Sequence, residues 1–503
     1  MSLTPPRTTV AIASLFIAGC AVGSDYSRPA LPLPQAWVAP IPQSTAHDGS
    51  TARLADWWAL WDDPVLVELI DNAQNENANI LVAAARIAAA RATVTSVAAP
   101  FWPAAEAKAS DNRSRGNQGG NAASGGLGNT SNFGGNGNAM SRNRSLSIDA
   151  FWELDLFGGV RRNKEAAVAR ADARTIDWHD ARVSVAAEVA SGYVNLRACE
   201  ILLTGYVRDA KSRAETAHLT DLKARAGFTA PAEAALSNAS AAEAGARLTQ
   251  QGADCDVDVK ALSLVTVVPE PLLRIKLATR TALFPRPAGW PIERVPAVAL
   301  QQRPDVASAE RELAAASADI GAAVADRYPR ITLTGSIGYG ISNFAGADDR
   351  GRTWSYGPAI SLPIFDAGRR AANVDAARAR YAEALAVYKG RSALAVREVE
   401  ESLVRIASAT NRDSDSRAAL AGYEAFLKAA DARVRVGAAN QLELEEARRA
   451  VVTALGAVVN VERERLTSWV ALYKAVGGGW DAMPNLQNTA LTPSTKSVDK
   501  DRE

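Results

Sequence analysis

Histidine and cysteine are scarce in this chain of 503 residues, with 3 of each. His47, His179 and His218 lie far apart, and no HExxH, CxxC or GxxxxGK[ST] stretch occurs. Metal, haem and P-loop chemistry therefore lack support. Cys20, Cys199 and Cys255 are too few for a disulfide scaffold. An excess of one charge is missing as well: Lys and Arg total 56 against 55 Asp and Glu. That balance argues against nucleic acid as a partner, which needs a basic face. Aromatic residues make up only 6%, and the apolar content leans on alanine, which favours helix. No nucleophile–base pair stands out, so neither enzymatic activity nor a cofactor is expected. Length alone suggests about three or four domains.

Long apolar runs are missing apart from one. Val10 to Val22 is about 13 residues, too short to span a bilayer and of the size of a signal-peptide core. The run ends Leu15-Phe16-Ile17-Ala18-Gly19-Cys20. Small residues before a cysteine resemble the bacterial lipobox, in which the cysteine becomes the lipidated first residue. The alternative is an ordinary signal peptide with an incidental cysteine. Ala21 follows, not Asp, and by that resemblance points to the outer membrane. The expectation is a signal peptide over 1–19 and a lipid-anchored extended segment over 20–56. No later segment approaches 18 consecutive apolar residues, so a membrane crossing would use strands.

The chain is written twice. Arg86 to Pro103 aligns with Glu312 to Pro329 at an offset of 226. Trp152 to Arg162 matches Ile360 to Arg370 at 208, and Arg225-Ala-Gly227 matches Arg435-Val-Gly437 at 210. The first copy thus holds 18 extra residues in the stretch Asp111 to Asn138, where 16 of 28 residues are Gly or Asn. Such a composition buries no core and reads as an exposed loop. The repeats are placed at 57–270 and 271–480, with a polar tail over 481–503.

Each copy carries two strand patterns. Ile331 to Ile341 alternates strictly, and Trp354 to Ile364 alternates again. In the first copy Leu146, Ile148, Trp152, Leu154 and Leu156 share one face, and Ser147, Asp149, Glu153 and Asp155 the other. Ala104 to Ser110 alternates weakly. The expected strands are about 104–112, 145–157, 330–341 and 353–365. Period-two segments of about ten residues with an aromatic-bearing apolar face fit membrane barrel strands; a soluble half-buried sheet alternates in the same way. Four strands cannot close a barrel, and open edges are not tolerated in lipid. Several chains must then pool strands, and three would supply twelve.

Between the strands run Pro-poor stretches rich in Ala, Arg, Glu and Val. As one helix, Gly159 to Gly227 would reach about 100 Å. Gly227 and Pro231 mark a turn, and a second helix returns. The second copy repeats the plan around Gly437. Its returning helix carries Val451, Leu455, Val458, Leu466, Trp469, Tyr473 and Val476 in a coiled-coil-like stripe, interrupted at Glu462. The hairpins are expected over about 159–265 and 367–476. The fold class is mainly α with a small membrane β-barrel, built from a duplicated unit.

The chain resembles the TolC-like outer-membrane factors, in particular the lipidated NodT/OprM branch of tripartite (RND-type) efflux systems. The resemblance rests on Cys20-Ala-Val-Gly-Ser-Asp-Tyr-Ser-Arg-Pro29, Trp57-Trp58, Phe151-Trp-Glu-Leu-Asp-Leu-Phe157, Arg303-Pro-Asp305 with Glu310-Arg311, Tyr328 to Ser336, Leu362-Pro-Ile-Phe365 and Gly477-Gly-Gly-Trp480. It covers about residues 15 to 480. It implies a homotrimer with a 12-strand barrel in the outer-membrane lipid, standing on an α-helical periplasmic tunnel. It further implies a passive exit duct whose turn tips dock a periplasmic membrane-fusion adaptor. That adaptor links the tube to an inner-membrane, proton-driven transporter.

Three sites follow. Glu443 and Glu446 lie three apart on a helix and share a face. By the resemblance, acids at this spacing form a gate on the tunnel axis, where six carboxylates would repel one another and favour cations. The family often has Asp here. The alternative is a solvated helix face, which Glu445, Arg448 and Arg449 also suit. The second site is the pair of turns, Arg225, Ala226, Gly227 and Phe228 with Arg435, Val436, Gly437 and Ala438, which by the resemblance meet the adaptor; the alternative is a purely structural turn. The third is Cys199 and Cys255, each 28 residues from Gly227. In an antiparallel hairpin that places them side by side, and the periplasm permits a bridge. The alternative is two buried thiols on different faces. Two competing readings of the whole are a protein-secretion duct and a pore-less coiled-coil lipoprotein.

Overall fold

The computed structural model describes residues 22–31, 34, 37–39, 57–115, 140–286, 300, 303–344 and 347–479. The signal peptide, the lipidation candidate Cys20, most of the Gly/Asn-rich stretch and the C-terminal tail lie outside the described residues.

Helices α1 (Pro64–Glu76) and α2 (Ala78–Ala98) precede the first strands. The Asp63 carboxylate starts α1 by accepting from the Val65 and Leu66 amides at 3.1 and 3.2 Å. Pro64 takes the first helical position, where no amide is needed. By length and composition Pro64–Phe101 is apolar enough to cross a membrane. It is nevertheless broken at Asn77, whose backbone is extended, and it carries Arg86 and Arg91.

Strands β1 (Ala104–Arg115), β2 (Met140–Leu154), β3 (Arg330–Phe344) and β4 (Ala347–Ser361) form one antiparallel sheet in that order. They reach further toward the hairpin ends than the alternation predicts, because the polar stretch from Met140 still pairs with its neighbours. β2 and β4 also stop earlier at their other ends. β2 ends before Gly158, which turns at φ 79°. β4 ends before Pro363, which has no amide to give a ladder.

Helix α3 (Gly159–Arg225) and helix α4 (Pro231–Thr266) form the first helical hairpin; short α5 (Glu270–Leu277) and α6 (Pro304–Ala325) follow. Helices α7 (Arg369–Arg435) and α8 (Gln441–Ala475) form the second hairpin. Helices α3 and α7 are each 67 residues long. Both start on an aspartate: Asp155 accepts from the Val160 and Arg161 amides, and Asp366 from those of Gly368 and Arg370.

The described residues fold as two compact units. One comprises Met1–Pro29, Ala88–Asp172 and Glu310–Ala386; the other comprises Ala30–Ile87, Ala173–Ala309 and Val387–Glu503. Each unit draws on segments of both repeats, 57–270 and 271–480. The reason is pairing: β2 of one repeat is zipped along β3 of the other.

In the first unit, Ala166 and Ala169 of α3 pack with Ala314, Ala315 and Ala318 of α6, and Tyr26 packs against them. Small side chains let the two helices approach closely. In the second unit, Trp57, Trp58 and Trp61 are buried against α8. Trp57 stacks on Tyr473 with ring centroids 4.7 Å apart. The Tyr473 hydroxyl donates to the Gly478 carbonyl at 2.8 Å. Gly478 has φ 66° and a Cβ there would lie 2.5 Å from Val183, so only glycine fits. The Trp57-Trp58 and triple-glycine motifs thus meet in one core.

Candidate functional site

The sheet has two chemically distinct faces. Leu146, Ile148, Trp152 and Leu154 of β2 lie in register with Tyr339, Ile337, Leu333 and Ile331 of β3, and those with Arg352, Trp354, Pro358 and Ile360 of β4. Trp354, Tyr356 and Ile360 are 73%, 81% and 71% exposed, far from the usual fate of such side chains. The opposite face carries Lys108, Asp149, Thr334, Ser336 and Ser355. There Asp149 accepts from Ser336 at 2.7 Å and pairs with Lys108 at 3.2 Å. β1 and β4 are the edges of this sheet.

The N-terminal segment is tied to the helix-bearing end of the sheet. The Val22 amide donates to the Phe157 carbonyl at 3.2 Å. Arg162 donates to the Asp25 carboxylate and the Gly23 carbonyl, and the Tyr26 hydroxyl donates to Glu310 at 2.7 Å. The Asp25-Tyr26 and Glu310-Arg311 motifs are therefore partners.

The two hairpin tips are built alike. Gly227 and Gly437 have φ 78° and 76°, the left-handed conformation of a helix C-terminus. The Phe228 amide reaches back to the Lys223 carbonyl at 2.8 Å, and the Ala438 amide to that of Arg433 at 2.8 Å. Arg225 pairs with Asp221 at 2.7 Å and Arg435 with Asp431 at 2.8 Å. Ala226 leads into the first turn. The apolar tips Phe228 and Val436 are 84% and 79% exposed. Asp431 and Arg435 also line a cavity of about 550 Å³ with Asp209, Leu427 and Leu455.

At the start of α8, Asn440 accepts from the Glu443 amide at 2.9 Å. Glu443 is ion-paired with Arg433 across the turn, so within the protomer its charge is already compensated. Glu446, one turn on, is exposed. Glu445 and Arg448 depart from the solvated-face reading: both are buried. Glu445 accepts from Arg213 of α3, from Ser240 of α4 at 2.5 Å and from Arg448 at 2.9 Å. Arg213 also donates to Asp209 at 2.9 Å, and Arg448 to Thr216 at 2.8 Å. This four-charge cluster was missed in the sequence because Arg213 and Glu445 lie 232 residues apart. The Glu445–Arg448 spacing of three was its one local signal.

Cys199 and Cys255 are joined by a disulfide with Cα atoms 5.6 Å apart. It bridges α3 and α4. Of the scarce histidines, His179 lines a cavity of about 450 Å³ with Trp58, Gln74 and Arg182. Burial, and secondarily the Arg182 charge, pushes it down to about 4, so it is neutral at ordinary pH.

Known proteins share this architecture. The family described as outer membrane efflux protein matches residues 69–268 and 295–478. The solvent efflux pump outer membrane protein SrpC of Pseudomonas putida is 30% identical over 482 residues, covering 94% of this chain and 98% of that protein. Outer membrane protein OprJ of Pseudomonas aeruginosa is 31% identical over 477 residues, covering 93% and 95%. The solved structure of the outer-membrane channel OprN superposes with a TM-score of 0.76 at 29% identity, over 92% of this chain and 100% of that one. The family match runs through both repeats, and the relatives align almost end to end: the chain belongs to the outer membrane efflux protein family.

Proposed function

We propose that this chain is one subunit of a homotrimeric, passive exit duct in the outer membrane, the channel component of a tripartite efflux pump. The observation that carries the reading is the sheet: four strands among the described residues, one apolar face, one polar face and two unpaired edges. In lipid every backbone group needs a partner. Three copies joined edge to edge give twelve strands, with the Trp354 face toward lipid and the Asp149 face toward a wet lumen. A pore-less coiled coil has no use for such a wall.

Cys20 is the lipid anchor in this reading. Val22, two residues further on, donates its amide to the Phe157 carbonyl. The tips dock a periplasmic adaptor, which connects the duct to an inner-membrane, proton-driven transporter.

Glu443 and Glu446 form the constriction. Three chains bring six carboxylates together, which favours cations. The test is conductance in planar bilayers. Wild-type trimers should pass ions with cation selectivity, and Glu443→Ala with Glu446→Ala should raise single-channel conductance and lower that selectivity. Trimers that never conduct would remove the duct; unchanged selectivity would remove the gate alone.

The Cys199–Cys255 bridge is a permanent staple of the first hairpin, since the periplasm keeps disulfides oxidised. It closes a loop of 56 residues. Chain entropy alone assigns such a closure about 4 kcal/mol. Cys199→Ser with Cys255→Ser should therefore lower the thermal midpoint of the purified trimer. A midpoint unchanged within error would contradict a stabilising role.

A further inference from the structure

The apolar face of the sheet ends in arginine. From Leu154 to Leu146 it runs about 27 Å along the strand. At a tilt near 40° that is about 21 Å of membrane thickness, close to the ~25 Å apolar band of outer-membrane barrels. Arginine enters at the Leu146 row itself and continues in the rows beyond it, toward the far ends of the strands. Arg144 lies in register with Asp111 and Ile341, Ile341 with Arg350, Arg142 with Arg113, and Tyr339 with Arg352. The pleat thus places all five arginines on the same face as Ile148, Ile337 and Trp354.

Opposing charge is thin there. Asp111 is shared by three of the five: Arg142 Nε at 2.9 Å, Arg144 Nε at 3.6 Å and Arg113 Nη2 at 3.9 Å. A guanidinium has five N–H donors, so the single Asp111 carboxylate cannot occupy all those of Arg113, Arg142 and Arg144. The side chains of Arg113 and Arg144 are 62% and 50% exposed.

Chain order fixes which end this is. α2 enters β1, α3 leaves β2, α6 enters β3 and α7 leaves β4, all at the other end of the sheet. With the helices periplasmic, the arginine end faces the outer leaflet. Charges on the lipid face are costly at the bilayer midplane and tolerated near its interfaces.

We propose that this arginine belt binds the phosphate groups of the outer-leaflet glycolipid, seating a lipid A-type phosphoglycolipid against the wall of each subunit. This rests on the outer-membrane barrel reading. Guanidinium matches phosphate in two-pronged geometry, and basic clusters at a membrane surface recognise anionic head groups. The aliphatic arms of the arginines lie along the apolar rows beneath them, where acyl chains would pack.

The test uses the full-length trimer in detergent, titrated with purified lipid A and followed by native mass spectrometry. Diphosphoryl lipid A should bind, and enzymatically dephosphorylated lipid A about tenfold or more weakly. Arg144→Ala with Arg352→Ala should weaken diphosphoryl binding about 25-fold, at about a factor of five per basic residue near a lipid surface. Equal binding of the two lipid forms by the wild type overturns the proposal, whatever the variants do. Equal binding by a folded double variant overturns it too, and so does inorganic phosphate binding as tightly as the lipid. A trimer that conducts but ignores phosphate removal loses only the belt; one that never conducts loses the barrel.

Discussion

Replacing Gly437 by tryptophan is expected to abolish export while leaving trimers intact. Export is read as complementation of a deletion strain against a panel of toxic efflux substrates. The variant should match the empty vector. Gly437 sits at φ 76°, and a Cβ there meets nothing within 4 Å. The indole therefore projects into open space and breaks no core. The cost inside the protomer is the left-handed backbone, about 1–2 kcal/mol for a non-glycine residue. Gly437→Ala carries that same strain without the bulk and should keep most export. If the tryptophan variant exports fully, the turn is structural and the adaptor docks elsewhere.

Glu445→Ala is expected to be the most destabilising single change in the helical hairpins. It removes the shared acceptor of Arg213 and Arg448, leaving two buried guanidiniums with Asp209 as the remaining carboxylate. Breaking a buried ion pair from one side costs about 3–5 kcal/mol per protomer. Denaturant or thermal unfolding of the trimer should register it. Replacing Arg213, Glu445 and Arg448 together by methionine and leucine of similar volume should recover most of that loss, since no unpaired charge is then buried. Were Glu445→Ala to unfold like the wild type, the cluster would be open to water in the assembled tube.

These two sites differ in how they could be read. Gly437 announces itself: glycine after a basic turn, repeated at Gly227, needs only the local rule that helices end on left-handed glycine. Glu445 does not. On α8 it stands beside Glu443 and Glu446, and three neighbouring acids look alike in sequence. Burial separates them, because α3 and α4 lie over Glu445 and leave Glu446 exposed.

The alternation of Ile331 to Ile341, the duplication and the two turn glycines came from the sequence because their causes are local: a pleat of two, a helix of 3.6, a residue without Cβ. So did the pairing of Cys199 with Cys255, which required only counting from Gly227. The tertiary structure alone decided that the repeats interleave into two units, that the tryptophans meet the glycine triplet, that Glu443 is already paired with Arg433, and that five arginines share one face above the apolar rows. Apart from the Glu443–Arg433 pair, which closes over one turn, each depends on register or contact between segments far apart in the chain, which packing sets and local composition does not encode.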